Sequence, residues 1–312
     1  MTTTTQQTTD TVLMVRPANF GYNPETAEDN AFQIKPTGKE KELAPQRARR
    51  EFDELVRRMR AAGIQVHVIE DTDEPKKTDA VFPNNWISTH EDGVVMTYPM
   101  FSAIRRRERR TDIVEYLSEN FQVREWIKLE DRENEGRMLE GTGSMILDRE
   151  NRIAYACLSE RTDRETFLNW CKVMRYEPLP FTALGRDTGL PIYHTNVIMC
   201  MGTGFVVISL ENIPNPAERK MLLDKFAATG KEVVAISTQQ VDEFAGNMLE
   251  VRGKNGPVVV MSEAAHDALT PAQRATLGKH AKLLHAPLGT IEKLGGGSAR
   301  CMIAEVFLPK EG

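Results

Sequence analysis

The strongest constraint on this chain is an internal repeat, because a repeated unit fixes the architecture before any single residue is interpreted. Apolar hairpins recur at 85–98 (NWISTHEDGVVMTY), 140–158 (EGTGSMILDRENRIAYACL), 194–210 (HTNVIMCMGTGFVVISL) and 247–262 (NMLEVRGKNGPVVVMS), and a further strand begins at Cys301 (CMIAEVFL). Their first polar residues, Asn85, Glu140, His194, Asn247 and Cys301, follow one another at steps of 55, 54, 53 and 54 residues. The partner of the last strand is the chain's own beginning, 12–16 (VLMVR), which would close a ring by joining the two ends.

Each hairpin leads into helical periodicity and then into a β-like segment. Residues 47–62 space Phe52, Leu55, Met59 and Ala62 three and four apart, with Gly63 behind them as a C-terminal cap. Segments 110–119, 164–174, 215–228 and 270–284 fill the equivalent slots, the last two with Pro216 and Pro271 just inside their starts. β-like stretches follow at 65–69, 123–127 and 233–236. The unit is ββαβ, and five copies around a pseudo-fivefold axis predict one α/β domain resembling a propeller over 12–312. A length of 312 residues would by itself suggest two domains. Residues 1–11 (MTTTTQQTTDT) read as a disordered polar tail, and 17–43, rich in Asn, Pro and charge, as a loop insertion of the length of a lid.

Composition removes several function classes. With 40 basic and 45 acidic residues the net charge is −5, the wrong sign for a nucleic-acid backbone. The cluster Arg105–Arg107 with Arg109 and Arg110 is broken by Glu108 and precedes an apolar helical pattern, so it reads as a solvated helix start. No apolar run approaches the roughly 18–20 residues of a membrane span. The N-terminal segment lacks the apolar stretch of a signal peptide, which points to a cytoplasmic location. Four separated cysteines read as free thiols. The six scattered histidines offer no metal-ligand spacing, so no metal is expected.

In a closed array the leading strands start at one end of the ring, and their first residues converge near its axis. Cys301, His194 and Glu140 then supply a nucleophile, a proton carrier and an orienting carboxylate. The run Gly295-Gly296-Gly297 before Cys301 permits backbone close to a ligand. Cys157 and Cys200 lie inside apolar strands and Cys171 on a helix, where thiols are structural.

These residues resemble the pentein superfamily of guanidine-modifying enzymes. The resemblance rests on the five units, on Asp79-Ala-Val-Phe82-Pro-Asn-Asn85, on Leu139-Glu140-Gly141, on His194-Thr-Asn196 and on the glycine run before Cys301-Met302. It implies Cys301 as nucleophile, His194 as general acid and base, and Glu140 as its partner and a substrate ligand, with no metal or organic cofactor. FPNNW, LEGTGS and YHTN look most like the citrulline-utilisation branch. Relatives acting on a cationic guanidinium carry Asp where this chain has Asn85 and Asn196. An amide cannot supply that charge pairing, but it suits a neutral ureido group.

The expected activity is therefore hydrolysis of citrulline to ornithine, ammonia and carbon dioxide. Arginine deiminase or dihydrolase chemistry is the first alternative and an amidinotransferase the second; a non-catalytic pentein binding protein represents a different class. Asn85, Asn196 and Glu140 would hold the reacting group, Asp79 would brace the site, and Arg300 or Arg16 would take the substrate carboxylate. The partner expected is a small amino acid, with no nucleic acid or membrane, and a homo-oligomer is left open.

Overall fold

The computed structural model describes residues 6–28, 30 and 32–310. Five separate three-stranded sheets carry the fold, in keeping with the repeat. Four follow one pattern: a leading strand antiparallel to a middle strand, which runs parallel to a third strand reached through a helix. They are Ile87–Thr89, Val94–Thr97 and Glu125–Lys128; Ile146–Asp148, Ile153–Cys157 and Glu177–Phe181; Met199–Met201, Phe205–Ile208 and Glu232–Ala235; and Leu249–Gly253, Gly256–Ser262 and Lys282–Ala286. In the fifth, Thr11–Arg16 pairs antiparallel with Ala304–Glu305, Val12 opposite Glu305, and parallel with Gln65–Glu70. The two ends of the chain thus share one sheet.

The middle strands are continuous apolar runs because both of their faces are covered. Phe205–Ile208 and Ile153–Cys157 are fully buried along their length. Thr111–Asn120, Arg164–Met174, Pro216–Ala228 and Pro271–His280 occupy the expected helical slots. Local chemistry starts them: Asp163 accepts from the Thr166 N–H, and Thr270 and Gln273 form a reciprocal cap ahead of Pro271.

Three expectations need correcting, and one strand has an unexpected composition. The first helix, Lys39–Ala61, begins eight residues earlier than 47 and carries Pro45 inside it, where buried Ala44 and Ala48 hold the extra turns against the core. The segment 270–284 is not one helix, since the chain after His280 pairs with the middle strand, Lys282 opposite Val258. Glu177–Phe181 is a strand despite Pro178 and Pro180, because it lies at a sheet edge where a missing N–H removes no ladder bond. Lastly, the N-terminal segment is ordered where it is described. Gln7 is buried, donating to Leu147 O and accepting from the Arg149 N–H, and Thr9 Oγ1 donates to Val306 O. Residues 1–5 of the expected tail lie outside the described residues. No helix among the described residues is long and apolar enough to cross a membrane.

Candidate active site

The five repeat-related polar residues converge, but they stand on turns rather than on strand starts. Asn85 ends the 3-10 turn Pro83–Asn85; Glu140 and His194 immediately precede the short helical turns Gly141–Ser144 and Thr195–Ile198. Cys301 follows a turn closed by its N–H on Ser298 O, three residues before Ala304. A helical turn there displaces each side chain from the pleat and aims it at the neighbouring unit. The close approach demands glycine. Gly141 has φ +49, and a Cβ on it would lie 2.4 Å from Asn84 O; a Cβ on Gly143 would lie 2.4 Å from Asn85 Nδ2 and 2.8 Å from His194 Nδ1.

His194 Nε2 is 2.8 Å from Glu140 Oε2, and Glu140 Oε1 accepts from the Phe101 N–H at 2.8 Å. Burial alone would push the Glu140 carboxyl up. The hydrogen bond from His194 and the guanidinium groups of Arg161 and Arg105, each 3.8 Å away, hold it well below the usual carboxylate range instead. An ionised carboxylate only accepts, so Nε2 carries the proton and Nδ1 is the free base nitrogen. Burial also lowers the His194 value, against the pull of Glu140, so the imidazole is neutral.

Cys301 Sγ accepts from two amides, Asn196 Nδ2 and Asn247 Nδ2, each at 3.3 Å. Asn247 is itself fixed, donating to Asn196 O at 2.9 Å and accepting from the Arg300 N–H at 3.0 Å. Asn196 Oδ1 is buried without a hydrogen-bond partner among the described residues. Asn85 Oδ1 accepts from Arg105 at 2.9 Å, and its Nδ2 donates to Asn84 Oδ1. Asp79 sits behind this group, accepting from Asn23 Nδ2 at 2.7 Å, and burial pushes its carboxyl up.

Cys301, His194, Glu140, Asn85, Asn196 and Asp79 thus come together, and Arg300 and Arg16 do not. The Arg300 side chain turns away to Ile303 O and Glu305, both at 2.8 Å, so only its backbone serves the site. Arg16 pairs with Asp53 at 2.7 Å and with Glu70 on the outside of its sheet. Two arginines replace them. Arg105 is 3% exposed and holds Glu108 through two contacts of 3.0 Å. Its cluster is therefore not a solvated helix start: Arg105 and Glu108, three apart, share an inward face while Arg107 is exposed. Arg161 is buried, with its Cζ 4.8 Å from the Tyr193 ring. Asn247 carried a signal, its place in the repeat; for the two arginines the sequence offered only charge.

The glycine run caps and packs. Gly296, at φ +63, ends the helix Gly289–Gly295, and Gly295 and Gly297 lie against Phe82. The Gly296 carbonyl accepts from Tyr193 Oη and from Asn30 Nδ2. Glu25, Thr26, Asn30 and Phe32 of the insertion lie across this rim. Arg161 donates to Thr26 O, Ser102 Oγ and the Ile104 N–H donate to Glu25, and Phe32 packs between Tyr193 and Phe244.

The family model for eukaryotic N,N dimethylarginine dimethylhydrolases matches residues 16–308. No curated protein matches the chain by sequence. Among solved structures, the substrate-bound N-terminal domain of ArgZ, an arginine dihydrolase of the ornithine-ammonia cycle in cyanobacteria, has a TM-score of 0.73 at 16% identity, covering 96% of this chain and 99% of that one. Unliganded AgrE has a TM-score of 0.74 at 18% identity, covering 97% of this chain and 40% of that one. The chain therefore spans about two fifths of AgrE. A dimethylarginine dimethylaminohydrolase adduct with S-methyl-L-thiocitrulline has a TM-score of 0.65 at 12% identity, covering 95% and 98% of the two chains. At these identities the likeness is one of fold.

Proposed function

Since the chain belongs to the dimethylarginine dimethylhydrolase family of the pentein superfamily, we propose that it hydrolyses the guanidino group of arginine through a Cys301 thiolate, and carries it through to ornithine as a dihydrolase. The observation that supports this most is the set of amides around the sulfur. Asn196 and Asn247 donate to Sγ, and by the resemblance Asn85, whose Oδ1 accepts from Arg105, stands where relatives acting on a guanidinium carry Asp. Glu140 supplies one full negative charge for the cationic first substrate. The neutral amides then retain the uncharged ureido product, and the unsatisfied Asn196 Oδ1 accepts one of its N–H groups.

In the first half-reaction His194 Nδ1 takes the Cys301 thiol proton as Sγ attacks the guanidino carbon, and then passes that proton to the departing nitrogen, which leaves as ammonia. Water deprotonated at His194 Nδ1 then attacks the same carbon and breaks the C–S bond, the sulfur leaving with the bonding electrons and citrulline staying in the site. A second attack on the ureido carbon and a second water complete the conversion to ornithine, ammonia and carbon dioxide. The described residues of the insertion ahead of the helix Lys39–Ala61, Phe32 among them, form the lid.

The ArgZ likeness favours arginine as the starting substrate over citrulline alone. Citrulline hydrolase remains the second reading, favoured by amides at both Asn85 and Asn196. Purified protein is incubated with arginine and with citrulline separately, and ammonia and ornithine are measured. A dihydrolase forms ornithine from both and releases two ammonia per arginine. Citrulline accumulating from arginine would mark a deiminase, turnover of citrulline alone the second reading, and no turnover of either would end the proposal.

A further inference from the structure

At the opposite ends of the leading strands from Asn85 and Glu140, the hairpin turns of two units wall a cavity of about 200 Å³. His90 comes from one turn and Arg149 and Arg152 from the other, with Tyr176 and Phe307 as aromatic walls. None of these residues has a part in the hydrolysis.

Arg149 is the residue that calls for an explanation. Its side chain is 5% exposed, and among the described residues no acceptor lies within hydrogen-bond distance of its guanidinium. Glu305 Oε1 is 3.8 Å from Nε, and the Phe307 ring lies 3.8 Å from Cζ. Its nitrogens are not among the sealed, unpartnered polar atoms of the described residues, so the little exposure that the side chain keeps includes the guanidinium nitrogens. Glu305 does not require Arg149, because Arg300 already holds its Oε2 at 2.8 Å. The N–H groups of Arg149 are left facing the cavity.

Arg152 brings a second guanidinium to the same space, 4.3 Å over the Tyr176 ring, with one N–H on Met174 O. His90 adds no charge, since burial and these two arginines hold it well below its ordinary value. Of the two lining carboxylates, Asp92 is engaged by the Val94 N–H at 3.3 Å and by Arg124 at 3.6 Å. Glu91 is exposed at the lip. The inner wall is thus cationic, with aromatic sides.

We propose that this cavity is a second binding site, for a small oxyanion whose oxygens accept from the guanidinium of Arg149 with that of Arg152 alongside. The aromatic walls leave room for a short apolar group, so an organic carboxylate fits best; inorganic phosphate shares the recognising chemistry.

Isothermal titration of the full chain with sodium propionate, and separately with sodium phosphate, against sodium chloride at equal ionic strength tests this. Saturable binding of propionate is expected, weakened at least tenfold in Arg149→Met and less in Arg149→Lys, which keeps the charge but loses the fork. Phosphate binding with the same sensitivity would identify the oxyanion charge as what is recognised, and propionate alone would single out carboxylates. Arg149→Met should keep full turnover and, in chloride alone, an unchanged or higher melting temperature. Equal binding by wild type and Arg149→Met, binding of neither probe, or a lowered melting temperature of the ligand-free variant would each overturn the proposal, the last by making Arg149 structural.

Discussion

Cys301 and Cys157 are buried to almost the same degree, 3% and 0% exposed, yet two amide nitrogens face the first sulfur and a single hydroxyl the second. Cys157 closes a middle strand; its thiol donates to Ile192 O at 3.4 Å and accepts from Thr195 Oγ1 at 3.6 Å, and burial outweighs that one hydroxyl and pushes it up to about 12. Burial likewise pushes Cys171 and Cys200 up to about 12. Cys301 sits on a turn where two amide donors meet the sulfur. Burial by itself disfavours a charged thiolate, as the three other thiols show, whereas N–H donors aimed at a sulfur give it partners for the bond-making step. The difference follows from the backbone, since a strand uses its polar groups in the ladder and presents apolar side chains, whereas the turns ahead of the strands bring polar side chains from neighbouring units together.

The sharpest way to break this comparison is to exchange the sulfurs. Cys301→Ser should reduce turnover by roughly a thousandfold or more, while Cys157→Ser should stay within a few-fold of wild type; steady-state ammonia release with both variants decides it. Next in size is Gly143→Ala, whose methyl would press on Asn85 Nδ2 and His194 Nδ1. It should lower kcat by about a hundredfold through misplaced groups, with circular dichroism confirming an intact fold. Asn196→Asp sharpens the role of the amides. A carboxylate beside the sulfur should cut citrulline cleavage by roughly tenfold or more and spare arginine turnover better, measured as the ratio of kcat/KM for the two substrates.

A smaller effect concerns pH. Because burial lowers the His194 value, the neutral base persists into more acidic solution, and the acid limb of kcat/KM should lie below the ordinary histidine value of 6.5. Glu140 opposes that lowering, so Glu140→Gln should move the limb further to acid as well as reduce the rate; a limb moving toward neutral pH would contradict the assignment. Smallest is Phe32→Ala, which removes the contact of residues 17–43 with Tyr193 and Phe244. A rise in KM of about threefold, some 0.6 kcal/mol, with little change in kcat would fit a lid.

The sequence revealed most of the groups that gather in the candidate site because they occur at one register of a repeat. Asn85, Glu140, His194, Asn247 and Cys301 needed only the 53 to 55 residue steps to be placed at one end of the ring. Arg105 and Arg161 were not legible in this way. Arginine is ordinarily a surface residue, and nothing local distinguishes Arg105, paired inward with Glu108, from its exposed neighbour Arg107. The same applies in reverse to Arg300, whose place next to Cys301 suggested a substrate ligand; the turn that aims the Cys301 sulfur into the site sends the Arg300 side chain to Glu305.

By itself, then, the sequence determined the number of units, their ββαβ content, the pairing of the two chain ends in one sheet, and the thiol, imidazole and carboxylate that gather in the candidate site. These are set by periodicity, which is local and repeated. Only the tertiary structure decided which charges are buried, which nitrogen of His194 is free, and which donors face each sulfur. Those properties depend on contacts between units tens to hundreds of residues apart, where the direction of a side chain and the loss of water around it have no signature in the residues on either side.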